Sequence, residues 1–317
     1  MDGDTSQYRS SQPDDQGMIL VLVLVLLGMI TALVIQSQMV ARMALGTEER
    51  KIAQVQLRAA ATDAAWEALR RLADDDDRRV DHTNEPWAAP GGRLLPNGIA
   101  TSVQIEDENR SFDINSLSVR LPEKTQRFPL DIVQDILVLA RQPDPQVQAR
   151  VLRDWLDLDH AGLREADYYR SLDPPVTIAD ALMESPQELA EVLARSGSPG
   201  GVPPGLAVLP DRGRRIMPVN LNTAERDVIT AVLGPQNAAV AVMLIGLRDA
   251  VPLTSLTELN RLMKTGPKNP GSRYLDVKSS FFSVTARAAQ GQDFEEVYAL
   301  VSRDVQGNVD ILRWVCR

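Results

Sequence analysis

Cysteine, histidine and aromatic residues are all scarce in this 317-residue chain. The single cysteine, Cys316, permits no internal disulfide, so thiol pairing identifies no redox compartment. Two histidines, His82 and His160, argue against a His-rich zinc centre. With aromatics at 4%, the core must be built mainly from Leu, Val, Ile and Ala. There is no P-loop, G-x-S-x-G, C-x-x-C or H-E-x-x-H motif, which leaves an enzyme reading without a supporting constellation. A net charge of −9 argues against nonspecific attraction to nucleic acid or anionic lipid by the chain as a whole, while leaving room for a local basic face.

What the chain does have is a long apolar run. Met18 to Ile35 is 18 residues without a charge. As a helix it spans about 27 Å, close to the hydrocarbon thickness of a bilayer. A buried core helix normally keeps a polar stripe, and a signal peptide has a shorter apolar region behind a basic flank. Here the flank carries Asp2, Asp4, Asp14 and Asp15 against Arg9, so the run reads as a membrane anchor. From Gln36 to Leu72 the chain has no proline and is rich in helix formers. Apolar residues recur at Val40, Met43, Ala44, Ile52, Val55, Ala59, Trp66, Leu69 and Leu72 at roughly helical spacing. One continuous helix of about 50 residues is predicted, half in the membrane and half amphipathic, the second half needing a surface to lie on.

Beyond it, Asp74 to Asp77 reads as a solvated helix end or turn, and Asn84 to Gly98 as a Pro/Gly-punctuated loop. Ile99 to Ile105 alternates like a half-buried strand, and Phe112 and Ile114 resume the pattern. A second β-rich block occupies 277–316. These two blocks are expected to form one antiparallel sheet against the N-terminal helix. Between them, helices are expected at Leu130 to Leu139, Val147 to Leu158, Ile178 to Leu193, Ala224 to Leu233, Ala238 to Arg248 and Leu256 to Met263. Phe112-Asp113-Ile114-Asn115 and Val219-Asn220-Leu221-Asn222 form a weak internal repeat, each with an Asn just before a helix. Asn115 and Asn222 therefore read as helix caps, with Glu225 in capping-box position after Asn222.

The most chemical stretch runs from Asp154 to Tyr169. Asp154, Asp157 and Asp159 gather near a helix C-terminus, where the dipole disfavours negative charge. Gly162 marks a turn that brings Glu165 and Asp167 back toward them. Five carboxylates suit a hard cation with oxygen ligands, although the spacing is not that of an EF-hand. By spacing alone a solvated acidic loop is the simpler reading, and a catalytic carboxylate pair has no accompanying nucleophile or oxyanion donor.

Taken together, a polar leader ending in Gly17, an uninterrupted apolar run and an amphipathic continuation resemble type IV pilins and type II secretion pseudopilins. The resemblance implies cleavage between Gly17 and Met18 by a prepilin peptidase, with methylation of the new N-terminus. It departs from the family in an acidic rather than basic leader. Most members carry a glutamate where this chain has Leu22, and the K-type minor pseudopilin (general secretion pathway protein K) is known for lacking it. A buried carboxylate is costly without a partner, so its absence suits a subunit with no neighbour above it. The resemblance extends to Arg110–Asn115, to Pro218–Ala224 and to the acidic stretch, which is similar to the calcium-binding loop of that family. It implies calcium at Asp154, Asp157, Asp159, Glu165 and Asp167.

The implied fold is α+β: a pilin-like long helix packed on a small antiparallel sheet, with a large all-α domain inserted between strands. The divisions are a leader at 1–17, a transmembrane half-helix at 18–35 and an amphipathic half at 36–73. The first part of the sheet follows at 74–114, the insertion at 115–275 (its second half helix-hairpin-helix or SAM-like), and the rest of the sheet at 276–317. The implied function is to cap and initiate a type II secretion pseudopilus, supporting protein export across the outer membrane. Implied partners are I- and J-type minor pseudopilins, the major pseudopilin, prepilin peptidase, the inner-membrane assembly platform and lipid. The implied place is the bacterial inner membrane with a periplasmic C-terminal domain. Arg42, Arg50 and Lys51 after the anchor would by charge alone put that domain in the cytoplasm. The alternative function is a membrane-anchored helix-hairpin-helix DNA-binding protein of a competence or pilus system. Against it, the turn Gly234-Pro235-Gln236-Asn237 holds one glycine where a phosphate-binding hairpin needs a glycine-rich turn.

Overall fold

The computed structural model describes residues 15–122, 127–157, 162–164, 166–177, 181–198, 201–210, 215–263 and 273–317. Helix α1 runs Asp15–Ala73, unbroken because no proline interrupts it. The chain divides into two compact units, Met1–Gln56 and Leu57–Arg317. In the first unit the helix is bare of packing: from Met18 to Val40 its described side chains are all exposed and mean hydropathy is 3.2.

In the second unit, α1 lies on a five-stranded antiparallel sheet. Its strands are β1 (Gly91–Leu94), β2 (Ala100–Asp107), β7 (Phe281–Gln290), β8 (Asp293–Arg303) and β9 (Val309–Cys316), in the order β1-β2-β7-β8-β9. The helix buries Leu57, Ala61, Ala65, Ala68, Leu69 and Leu72 against Ile105, Phe282, Val284, Val297 and Val301. Alanines at the contact let the helix approach the sheet closely, and each fully buried Leu contributes about 1.5–3 kcal/mol. The stripe expected from the sequence holds at Leu69 and Leu72, which are buried, and is displaced before them. Ile52, Val55 and Trp66 are exposed, and Trp66 stacks on Trp314 of β9 with centroids 5.5 Å apart. Alanines carried the true stripe, and they do not stand out as apolar in an Ala-rich segment.

The expected loop at 84–98 contains strand β1. Gly91-Gly92 reads as loop chemistry, yet a Cβ at Gly92 would sit 2.3 Å from the Thr101 carbonyl oxygen, so glycine is what allows this edge strand to pair closely. Phe112 and Ile114 do not join the main sheet. Instead β3 (Phe112–Asp113) pairs in parallel with β4 (Leu206–Ala207), and β5 (Val219–Asn220) pairs in parallel with β6 (Leu275–Asp276).

The insertion holds α2 (Pro129–Leu139), α3 (Pro145–Leu156), α4 (Ala166–Arg170), α5 (Pro186–Arg195), α6 (Arg226–Leu233), α7 (Ala238–Ala250) and α8 (Thr257–Leu262). They share a core separate from the helix-on-sheet core, including Phe112, Trp155, Tyr169 and Tyr274. The helix expected over 178–193 begins only at Pro186: Ser185 caps it, accepting from the Glu188 N–H at 3.2 Å, and residues 181–185 are non-helical. Proline suits the first helical turn and disfavours helix in the residue before it.

The weak repeat is structural. Asp113 Oδ1 accepts from Asn115 N at 3.1 Å, and Asn220 Oδ1 accepts from Asn222 N at 2.9 Å. Asn115 then clamps Met183, accepting its N–H and donating to its carbonyl, at 2.8 and 3.0 Å. Asn222 clamps Leu253 in the same way, with both bonds at 2.9 Å. The capping role expected of these asparagines is corrected accordingly. Helix α6 starts at Arg226 with Glu225 at its N-cap and no side-chain capping bond, so the Asn222–Glu225 capping box does not form. Each amide bonds a non-helical segment distant in sequence, which sequence spacing cannot reveal.

Candidate functional site

The apolar end of α1 is the first candidate. Gly17 lies inside the helix, and Met18 and Leu22 are exposed at 71% and 62%. Polar atoms in this run are folded back, with the Thr31 hydroxyl donating to the carbonyls of Leu27 and Gly28. By length and composition this is a helix able to cross a membrane.

The acidic loop is the second. Asp154, at the end of α3, is fully buried. Its Oδ2 accepts from Leu163 N at 2.5 Å and Arg164 N at 3.1 Å, which closes the turn back over the helix. Arg153 Nη2 lies 3.5 Å from Asp154 Oδ1, and Arg153 Nε lies 4.0 Å from Asp157 Oδ2. Asp167 is exposed and pairs with Arg170 at 2.7 Å. Asp159 and Glu165 lie outside the described residues. The donor set is all oxygen, the chemistry of a hard cation. Among the described residues its carboxylates do not converge, being drawn toward Arg153 and Arg170.

The third feature draws in part of the Asp74 to Asp77 run, whose sequence predicts a solvated turn. Asp75, from the four-aspartate run, is nearly buried and lies with Asp81 and Glu85 in one tight acidic group. The buried guanidinium of Arg303, at the end of β8, sits among them. Its Nη1 donates to Asp75 Oδ2 at 2.6 Å, its Nη2 to Asp81, and its plane lies 4.7 Å from the Phe282 ring centroid. A cation is thus already supplied by the chain. Burial pushes Asp81 up to about 7, against the pull of Arg303 and of the Ser279 N–H. Glu85 is also raised by burial while accepting from Trp87 Nε1 at 2.7 Å. Next to this group, buried Asp107 at the end of β2 accepts from Thr223, Asn220 and Ser279, and burial raises its pKa. The cluster ties α1, β2 and β8 to β5 and to the segment after β6. No local signal marks Asp75, because its partner is 228 residues away.

In the second helical half three arginines are paired or turned inward. Arg226 pairs with Asp227 and Arg261 with Glu258. Arg248 turns inward, Nη1 donating to the carbonyls of Leu221 and Ala224 at 2.5 Å. The solvent face of α7 is apolar instead, with Val242, Met243 and Leu247 exposed.

No protein-family model matches this sequence, and no curated protein matches it. A solved structure does: a chain of the GspK–GspI–GspJ complex from the enterotoxigenic Escherichia coli type 2 secretion system. The match covers 85% of this chain and 99% of that one, with a TM-score of 0.63 and 16% identity. The likeness establishes the architecture, and the chain has the α+β fold of a component of that complex, with an apolar N-terminal helix, an antiparallel sheet and further helices.

Proposed function

We propose that the chain is a K-type minor pseudopilin, anchored in the bacterial inner membrane with its C-terminal domain in the periplasm, which caps and initiates a type II secretion pseudopilus. The observation that carries this reading is the long α1, apolar and unpacked at one end and packed on a sheet at the other, in a fold shared with a chain of the GspK–GspI–GspJ complex. The uncharged Leu22 supports a tip position, since a fibre interior would demand a partner for a carboxylate there. The large helical insertion supports it too, because bulk on the head obstructs stacking within a filament. Its partners are then I- and J-type minor pseudopilins, the major pseudopilin, prepilin peptidase and the assembly platform. Calcium at the acidic loop would draw on Asp154, Asp157, Asp159, Glu165 and Asp167, and would require Asp157 and Asp167 to turn from Arg153 and Arg170 toward the ion.

The test is co-expression of the full chain with I- and J-type pseudopilins and prepilin peptidase, then detergent extraction and sizing. The expected result is one ternary species in which this chain starts at Met18. A retained Met1 leader overturns the processing assignment, and elution apart from the other two overturns the tip assignment.

A further inference from the structure

The chain leaves the sheet for the insertion after β2 and returns to it at β7, and the two crossings lie side by side. Asn109 Oδ1 accepts from the N–H groups of Ser280 and Phe281, both at 2.9 Å, and its amide donates to the Pro218 carbonyl at 3.0 Å. Asp107 Oδ2 accepts from the Ser279 hydroxyl at 2.6 Å, from Asn220 Nδ2 at 3.0 Å and from the Thr223 hydroxyl. The segment after α1 closes the arrangement. Asp81 N donates to the Val277 carbonyl at 2.9 Å, and Asp81 Oδ2 accepts from Ser279 N at 2.7 Å. Asn220, from the insertion, also donates to the Asp81 carbonyl. These polar bonds run between two apolar cores that share no residue. A small third cluster, Ala207, Leu209, Met217 and Phe281, holds the start of β7 to the insertion independently of them.

Charge at this junction does not balance. Asp75, Asp81 and Glu85 hold carboxylate oxygens within 4.8 Å of one another, and Asp107 adds a further negative group facing Asp81. Against them stands the Arg303 guanidinium, paired with Asp75 and Asp81. The other charged groups nearby do not make up the difference. His82 gives Glu85 its backbone N–H at 2.8 Å, while its Nδ1 accepts from Asn84 N. Arg78 donates to the carbonyls of Ala73 and Gln306, Asp276 accepts from Val277 N, and Lys278 is exposed. The insertion brings only the uncharged Asn220 and Thr223 to the group among the described residues. Carboxylates this close in a buried site do not all ionise together, so the group retains a proton at neutral pH. Burial raises Asp81 to about 7 and moves Glu85 in the same direction. We propose that this buried acidic group is a proton-operated latch, tying the insertion to the sheet while it holds its proton and loosening the junction when the proton leaves. Release adds a negative charge beside its neighbours with no cation to meet it. Because folding raises the carboxyl above its unfolded value, the stabilisation is present at low pH and is lost as pH rises through the folded value. The proposal stands on this junction and is independent of the secretion assignment.

Hydrogen exchange of the detergent-solubilised full chain between pH 6 and pH 8, corrected for the intrinsic rate, tests it in peptides covering 79–85 and 276–281. Opening of these segments is expected to rise about tenfold over that range, while α2 in the insertion core keeps its protection. Glu85→Gln stands in for the protonated group. Its amide oxygen can keep the bonds from Trp87 Nε1 and His82 N, and its NH2 replaces the other carboxylate oxygen. This variant is expected to flatten the rise and to protect both segments better than the parent at pH 8. A carboxylate with a purely structural role predicts the opposite, a loss of protection. Asp77→Asn, at an exposed position in the same aspartate run, should leave the profile unchanged. Exchange in the parent that is flat or falls with pH would overturn the proposal, as would an equal rise in α2. So would a Glu85→Gln chain less protected than the parent at pH 8, or a profile that Asp77→Asn alters as much.

Discussion

Arg303→Met removes the one cation from a buried acidic group, and its consequences can be worked through. Arg303 is 1% exposed and serves Asp75, Asp81 and the Leu72 carbonyl. Methionine fills much of the space but leaves buried carboxylates without a counter-charge. Breaking a buried ion pair from one side costs about 3–5 kcal/mol, a large share of the 5–15 kcal/mol typical of a whole domain. The pH dependence has a definite sign. Asp81 already sits near 7 through burial, above its unfolded value, and loss of Arg303 raises it further. A carboxyl whose pKa is raised by folding takes up a proton in the folded state that the unfolded chain releases. The stability tied to that protonation is therefore present at low pH and lost as pH rises through the folded pKa. The deficit of Arg303→Met should be largest near pH 8 and shrink toward pH 5. Urea unfolding of the detergent-solubilised chain, followed by tryptophan fluorescence, measures it, and Asp75→Asn with Asp81→Asn in the same background should recover part of the loss. A deficit below about 1 kcal/mol at pH 8, or one that grows on acidification, would refute the reasoning.

Asn222→Ala should orphan both backbone groups of Leu253 and cost about 2–4 kcal/mol, and Asn115→Ala should do the same at Met183, both read from denaturant midpoints. Gly307→Ala should destabilise by about 1–3 kcal/mol, since Gly307 has φ +92° and a Cβ would lie 2.4 Å from Arg78 Cζ; thermal melting would detect it. Asp154→Ala should release the Leu163–Arg164 turn at a cost of about 1–3 kcal/mol and expose that segment to hydrogen exchange. If calcium occupies the acidic loop, saturating it at about 100 times its Kd should stabilise the chain by about 2.7 kcal/mol, raising the melting temperature by about 5–10 °C in a manner reversed by chelator and absent in Asp154→Ala.

The sequence by itself determined the elements whose cause is local. Eighteen uncharged residues and an absence of proline suffice for the long helix. Alternation marks β2 and β7, and helical periodicity marks α2, α3 and α7, because each pattern is written within one element. Tertiary structure alone decided what depends on distant partners. Which face of α1 is buried was settled by alanines fitting a sheet, and the fate of Asp75 by an arginine far along the chain. Asn115 and Asn222 read as caps because side-chain amides at helix starts usually cap, yet each bonds backbone more than thirty residues away. The acidic loop shows the same division. Its composition announced carboxylates, but only packing showed that Asp154 holds the turn over α3.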